Sequence, residues 1–404
     1  MKTDKEDHLP KTERDLVKGL YFVHGSYISD HNRRDISNRY RDQMILVQDS
    51  FDSIYDINTY DVNLREMGIN EAFPQGEYIY YDGKRFRSAE DDPTAIIHSE
   101  LNRQLRESSL FSEPEMQEDS DTISDVYSYH VNIGHGNCSI IVFKDYHKHY
   151  MWMVDCSVFD MKNRQNYCRN LDLCLDDIKN AFGITRISKL LVTHLHYDHV
   201  NGIEHLINAG WIDKDTEVWM NIKYPWTQAT NNRLLLRLNS LGVKFVDPIC
   251  RNSTAQAHLD ILYPARSFDK AHQAPQNNIN NTSVIYQISL NGQKMLFPGD
   301  METEGWDNIE NCSHDLAEST FYCISHHGSI TGHLRNGCPN KKANIKNLAD
   351  CSSNSKVQIL MGRDQAYRGI FSKKVLNDFK NIVKTEDAEH YIKLQWDTGI
   401  YTFC

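Results

Sequence analysis

No stretch of this 404-residue chain approaches the ~18 consecutive apolar residues that a membrane-spanning helix requires. The first twenty residues are crowded with charge and lack the apolar centre of a secretory signal. Tight cysteine pairing is missing as well. The ten cysteines include no CxxC, and Cys138, Cys156 and Cys323 lie in apolar stretches where a thiol packs as a small hydrophobe. Reduced, buried thiols are therefore expected, in a soluble cytoplasmic protein with no membrane partner. No internal repeat stands out.

Positive charge is scarce in one part only. Of the net charge of −11, residues 1–125 contribute 15 Lys+Arg against 27 Asp+Glu, whereas residues 126–404 carry 29 against 28. The first part thus repels phosphate backbones, which makes it a poor candidate for a nucleic-acid contact surface. It suits a protein partner, or a gate over a neighbouring cleft. The acidic, polar stretch "SEPEMQEDSDTISD" (112–125) reads as a linker. Two domains are expected, 1–125 and 126–404. In the first, "GLYFVHGSYI", "DQMILVQDSF" and "GEYIYYDGKRF" read as strands and "TAIIHSELNRQLRES" as a helix, making a small α+β accessory unit.

Beyond residue 126 the pattern is clearer. Apolar strand-like runs recur at "VYSYHVN", "CSIIVF", "HYMWMVDCS", "ISKLLVT", "TEVWMNI", "LDILYP", "TSVIYQIS", "QKMLFPGD", "STFYCIS", "KVQILMG" and "YIKLQWD". Helical spacing appears at "LDLCLDDIKNAF" and after "HVNG". Alternating strands and helices predict an α/β domain with substantial sheet.

One strand, "ISKLLVT", runs directly into "HLHYDH" (194–199). His194 and His196 alternate on an extended segment, so their rings share a side. Asp198 and His199 follow at once. Imidazole and carboxylate are the ligands of zinc, manganese or iron in hydrolytic sites. One ion does not easily use all four in such close succession. Two ions about 3.5–4 Å apart do, with a bridging water as nucleophile.

"THLHYDH" resembles the signature of the metallo-β-lactamase superfamily, and the resemblance extends in order over residues 126–404. It implies an αββα sandwich and two divalent ions, zinc or manganese. By that resemblance His194 and His196 hold the first ion, and Asp198 and His199 the second. Asp300 in "LFPGD" bridges both. "ISHHGS" (324–329), the opening "VNIGHGNCSIIVF" and the closing "AYRGIFSKKVLNDF" and "WDTGIYTF" resemble the branch related to the DNA-uptake protein ComEC. His327 is the expected late ligand, because it sits beside a small residue. His326 is then a substrate-facing acid, although the motif leaves the two exchangeable. Asp155 in "MVDCS" matches an early aspartate that orients the metal loop. It counts with Asp198 and His326 among the catalytic residues. The family's further histidine before "TSVIYQIS" is replaced by Asn280 or Asn281, a weaker zinc ligand that favours a harder ion such as manganese. A "YxHP" segment is reduced to "YRGI", keeping only Tyr367.

The resemblance implies a metal-dependent hydrolase, most simply a phosphodiesterase or nuclease acting on nucleic acid or nucleotides. The ligand set lacks cysteine, and "HHGS" offers a proton donor for a leaving alkoxide. Hydrolysis of a lactone, thioester or phosphocholine-type substrate is the second reading. An interaction protein with the metal domain as scaffold is the third; six aligned ligands argue against it. Weaker candidates are Lys341, Lys342 and Lys346 as phosphate contacts and Trp219, Tyr224 and Trp226 as stacking surfaces. The "GHG" turn at 134–136, which holds His135, reads by default as a plain tight turn, with an approach to the site in the fold as the alternative.

Overall fold

In the computed structural model the described residues are 122–221, 229–248, 258–263, 279–302, 306, 319–333, 357–367 and 369–404, with short segments between residues 11 and 112. The chain divides into two compact units, Met1–Ser109 with Pro225–Asn239, and Leu110–Tyr224 with Ser240–Cys404.

In the first unit the described segments form a six-stranded sheet, which includes Gly19–Ser26, Gln43–Gln48 and Tyr78–Tyr81 from the three runs read as strands. The run read as its helix (residues 94–108), most of the 112–125 linker and Lys341, Lys342, Lys346, Tyr224 and Trp226 lie outside the described residues.

The second unit is built on an apolar alternation. Strands β1 (Ser124–Val131), β2 (Cys138–Asp145) and β3 (Lys148–Cys156) form an antiparallel meander. Helix α1 (Cys168–Phe182) follows, buries Leu171, Cys174, Leu175 and Ile178, and packs on β1. Gly183 ends it in the left-handed conformation, donating to the Lys179 carbonyl. Strand β4 (Lys189–Leu191) then pairs parallel with β3, and β5 (Glu217–Trp219) and β6 (Lys244–Val246) continue the parallel run. The two-residue strand Phe111–Ser112 closes this nine-stranded sheet at one edge.

A six-stranded sheet faces it: β7 (Leu259–Tyr263), β8 (Ile285–Leu290), β9 (Gln293–Phe297), β10 (Phe321–Cys323), β11 (Val357–Leu360) and β12 (Ile382–Lys384), in chain order. Strands β13 (Tyr391–Gln395) and β14 (Tyr401–Phe403) return to the first sheet beside β1. Ile141, Phe143, Trp152, Val154 and Trp219 of one sheet share a buried cluster with Tyr286, Ile288, Phe297, Phe321 and Ile359 of the other. Neighbours in sequence, such as Ile140, Val142 and Met153, are equally buried on the opposite face. Both faces of each sheet are thus covered. On the outer side of the second sheet, Leu296, Tyr322 and Leu360 pack with Phe371, Val375 and Phe379 around the short helix Lys373–Leu376. This is the αββα sandwich expected from the motifs. Trp219 is fully buried core, which removes it as a stacking surface. Among the described residues no helix is long and apolar enough to cross a membrane.

Candidate metal centre

Strand β4 is buried between parallel neighbours, so its carboxyl end is a fixed point from which polar residues emerge at the sheet rim. Residues 192–196 leave it in irregular backbone, and the single turn α2 (Tyr197–Val200) brings Asp198 and His199 back toward His194. Asp155 anchors this loop from the end of β3, where a register shift and a φ of 53° turn its side chain inward. Its carboxylate accepts from Thr193 N at 2.7 Å, from Thr193 Oγ1 at 2.7 Å and from His199 Nδ1 at 2.7 Å. Asp155 therefore sits behind His199, away from the ligand groups.

The second sheet supplies the opposite wall. Asp300 follows β9 after Gly299, whose φ is 58° and where a Cβ would stand 2.6 Å from Thr193 Oγ1. Only glycine permits that approach. His326 and His327 follow β10 with φ of 47° and 49°, a conformation in which bulky residues are strained. His326 N donates to the Gly299 carbonyl at 3.1 Å. His327 Nδ1 donates to the Met361 carbonyl at 3.0 Å, which leaves its Nε2 with a free lone pair.

Two groups of side chains result. Asp198, His199, Asp300 and His327 each present one ligand atom within 4.8 Å of the others, and so do His194, His196 and Asp300. Asp300 belongs to both. His199 Nε2 lies 3.3 Å from Asp300 Oδ1, and His327 Nε2 lies 3.5 Å from Asp198 Oδ2 and 3.6 Å from Asp300 Oδ2. His194 Nε2 and His196 Nδ1 are 3.0 Å apart.

His199 Nε2, His327 Nε2 and Asp300 Oδ1 are all buried without a hydrogen-bond partner. Three converging orphan atoms in a protein interior are costly unless something fills the gap. Charge points the same way. Burial raises the Asp300 pKa, yet His327, His199 and His326 hold it well below the usual carboxylate range. Asp198 is likewise raised by burial but held well down by the hydrogen bond from His135 and by His199. Burial lowers His199, and Asp300 and Asp155 overcome it, keeping the ring well above its ordinary pKa. His327 is raised in the same way by Asp300 and Asp198. His194 goes the other way: burial, then His199 and His196, push it well below, so it is neutral. Two ionised carboxylates are thus drawing imidazoles toward the cationic form. A divalent ion answers the same demand and frees the imidazole lone pairs to bind it. The donor set, imidazole plus carboxylate, fits.

His326 stands outside both groups. Its ring is 17% exposed, with Nε2 3.9 Å from Asp300 Oδ2. Nδ1 lies 3.1 Å from Thr331 Oγ1 and 3.5 Å from Glu302 Oε1. Of the two asparagines, Asn280 faces this ring, its Nδ2 3.0 Å from Glu302 Oε1 and 3.4 Å from His326 Nε2. Asn281 Oδ1 accepts from Glu302 N at 3.2 Å. Tyr367 packs on His135 with ring centroids 4.8 Å apart. Glu302 and Thr193 carry no sequence signal of their own, whereas His135 lies in the "GHG" turn, for which the sequence leaves an approach to the site open.

The superfamily resemblance has support of its own. Residues 133–218 match the family described as "Metallo-beta-lactamase superfamily", the segment that spans β2 to β5 and the "HLHYDH" loop. No curated protein matches the chain significantly. Similar solved structures include the metallo-beta-lactamase fold protein YhfI from Bacillus subtilis, at 13% identity over 64% of this chain and 96% of that one, TM-score 0.34. A diphosphatase of the PhnP family is 10% identical over 67% and 98%, TM-score 0.32. The DIM-1 metallo-beta-lactamase is 17% identical over 59% and 98%, TM-score 0.29. At such distances none of their activities carries over to this chain.

Proposed function

We propose that this chain is a two-metal hydrolase of phosphodiesters, with nucleotides or nucleic acid as substrate. The observation that carries the reading is one buried carboxylate, Asp300, common to two ligand groups and flanked by a partly exposed imidazole, His326. When bound, two divalent ions, zinc or manganese, supply Lewis acidity and an acidified water.

In this reading His194 and His196 would hold one ion and Asp198, His199 and His327 the other, with Asp300 available to each. Asp155 fixes the His199 ring through Nδ1, so that Nε2 is the binding atom. Glu302 and Thr331 hold His326 toward the centre, where its ring passes a proton to the leaving alkoxide. An ester of phosphoric acid needs such a donor, because an alkoxide leaves poorly unprotonated. Asn280, whose buried Oδ1 has no hydrogen-bond partner and whose Nδ2 lies 3.4 Å from His326 Nε2, stands in the chain where the family's further histidine would, and an amide oxygen in that role would favour a hard ion such as manganese. The acidic residues 1–125 form an accessory unit that engages a protein partner or restricts entry to the cleft of residues 126–404. The free thiols of Cys138, Cys156 and Cys323 suit the reducing cytoplasm.

Elemental analysis of purified protein, followed by a screen of generic phosphodiesters, cyclic nucleotides, nucleic acids, lactones and thioesters, tests this. Up to two ions per chain and phosphodiester turnover are expected, with Asp300→Ala depleting both positions. Absence of metal after reconstitution with zinc or manganese would sink the proposal, and turnover of acyl substrates alone would move it to the acyl reading.

A further inference from the structure

A second imidazole, besides His326, touches the centre without belonging to either ligand group. His135 is 5% exposed, and its Nε2 lies 3.3 Å from Asp198 Oδ2. Its ring also packs on His327, centroids 4.3 Å apart at 49°. The local backbone is shaped for this contact. Gly136 has a φ of 138°, and a Cβ there would fall 2.5 Å from the Asp198 carbonyl. Asn137 N donates to that same carbonyl at 3.0 Å, and Ser157 N donates to the Asn137 carbonyl at 2.9 Å. The loop between β1 and β2 is therefore clamped to the backbone of Asp198, with His135 laid across that residue's carboxylate and the His327 ring.

From this placement we infer that His135 is a positioning residue for the Asp198–His327 side of the centre. An Nε2–H donated to Asp198 Oδ2 occupies one oxygen and orients the carboxylate, while the stacked ring limits rotation of His327. Asp198 and His327 come from different sheets, and His135 contacts both. Their Oδ2–Nε2 separation, 3.5 Å, is thus held before any ion arrives. His194 and His196 do not depend on it. Partners that orient metal ligands typically change metal affinity by roughly 10- to 100-fold when removed. The effect here falls on one of two binding steps.

The inference rests on the two-ion reading, and the experiment separates the two. Metal-free full-length protein is titrated with cobalt(II), following the visible absorption bands and, in parallel, heat of binding. The step absent from His327→Ala marks the Asp198–His327 side. His135→Phe keeps the ring stack and removes the donor; His135→Gln restores a donor near the Nε2 position. The Phe variant is expected to weaken the marked step at least tenfold and leave the other within about twofold. The Gln variant is expected to recover most of the loss. Melting curves of the metal-free proteins confirm folding. Equal affinity of the Phe variant and the parent at the marked step overturns the inference. So does equal weakening of both steps, or a folded Gln variant no better than Phe. Failure of the parent protein to bind cobalt at all overturns the two-ion reading instead.

Discussion

His326 and His327 are adjacent and share left-handed backbone, yet one ring is buried against two carboxylates and the other opens to solvent. Each such residue costs roughly 1 kcal/mol or more, a strain kept only where the surroundings over-determine it. The turn sets one ring against the carboxylates of the centre and leaves its neighbour at the partly exposed rim. Removal of His327 is expected to empty the Asp198–His199 position. His326→Ala is expected to retain both ions and lose about 10²- to 10⁴-fold in turnover. Metal content and rate, measured on both variants, check the division; loss of metal from the His326 variant alone reverses it.

At the scale of elements, β1 carries a histidine of opposite character. His130 is fully buried, its ring nitrogens 2.9 and 3.1 Å from the hydroxyls of Ser139 on β2 and Ser128, and Trp396 Nε1 donates to Ser128 Oγ at 3.1 Å. Burial pushes its pKa down from 6.5 to about 3. The sign follows from proton counts. Above pH 6.5 the ring is neutral folded or unfolded and costs nothing. Between 6.5 and about 3 the unfolded chain takes a proton that the folded chain refuses, so stability falls as pH falls. Between pH 7.5 and 5.5 this amounts to about 1.4 kcal/mol, and the loss over that interval should be smaller by that amount in His130→Gln. Urea unfolding of both proteins at the two pH values measures it.

The long apolar strands β1 to β3 and the helix of α1 were readable because their periodicity is sustained over eight residues or more. The three-residue strands β6, β12 and β14 and the pair Phe111–Ser112 were not. They lie at or next to a sheet edge and lack the longer apolar run that marks the equally short β4, β5 and β10. The site divides in the same way. Spacing nominated "HLHYDH", and the family resemblance nominated Asp300 and the histidine pair. His135 and Glu302 acquire meaning only through contacts with residues distant in the chain, which no short motif encodes.

For the whole molecule, every member of the two ligand groups belongs to the second unit, and of the first unit only Pro225–Asn239 lies beyond Ser109. Residues 1–109 carry 15 Lys+Arg against 21 Asp+Glu, so their removal also removes a net acidic body. A chain beginning at Leu110 is expected to fold and to bind as many ions as the full protein. It should accept longer nucleic acids more readily, chiefly at low salt, because repulsion fades beyond about 8 Å at physiological ionic strength. Beginning at residue 126 instead deletes the strand Phe111–Ser112, which pairs with β6, and should lower the melting temperature. Ion counting, melting curves and cleavage at two salt concentrations distinguish these outcomes. A chain from Leu110 that binds ions but turns over nothing would put the first unit into the active site.

The two walls of the centre grow from different sheets: His194, His196, Asp198 and His199 from the rim after β4, Asp300 and His327 from the rims after β9 and β10. Ions held between them would act as rivets across the sandwich, absent from the unfolded chain. Any species that binds only the folded form adds RT ln(1 + [L]/Kd), about 2.7 kcal/mol at a hundredfold excess over Kd. Stripping the ions with a chelator should therefore lower the melting temperature by several degrees, and it should loosen the seam between the sheets first. Amide exchange ought to report that as faster exchange at Asp300 and His327 while the amides of β2 stay protected. A chemical centre built this way is also a mechanical one, and its emptiness would be felt as slack.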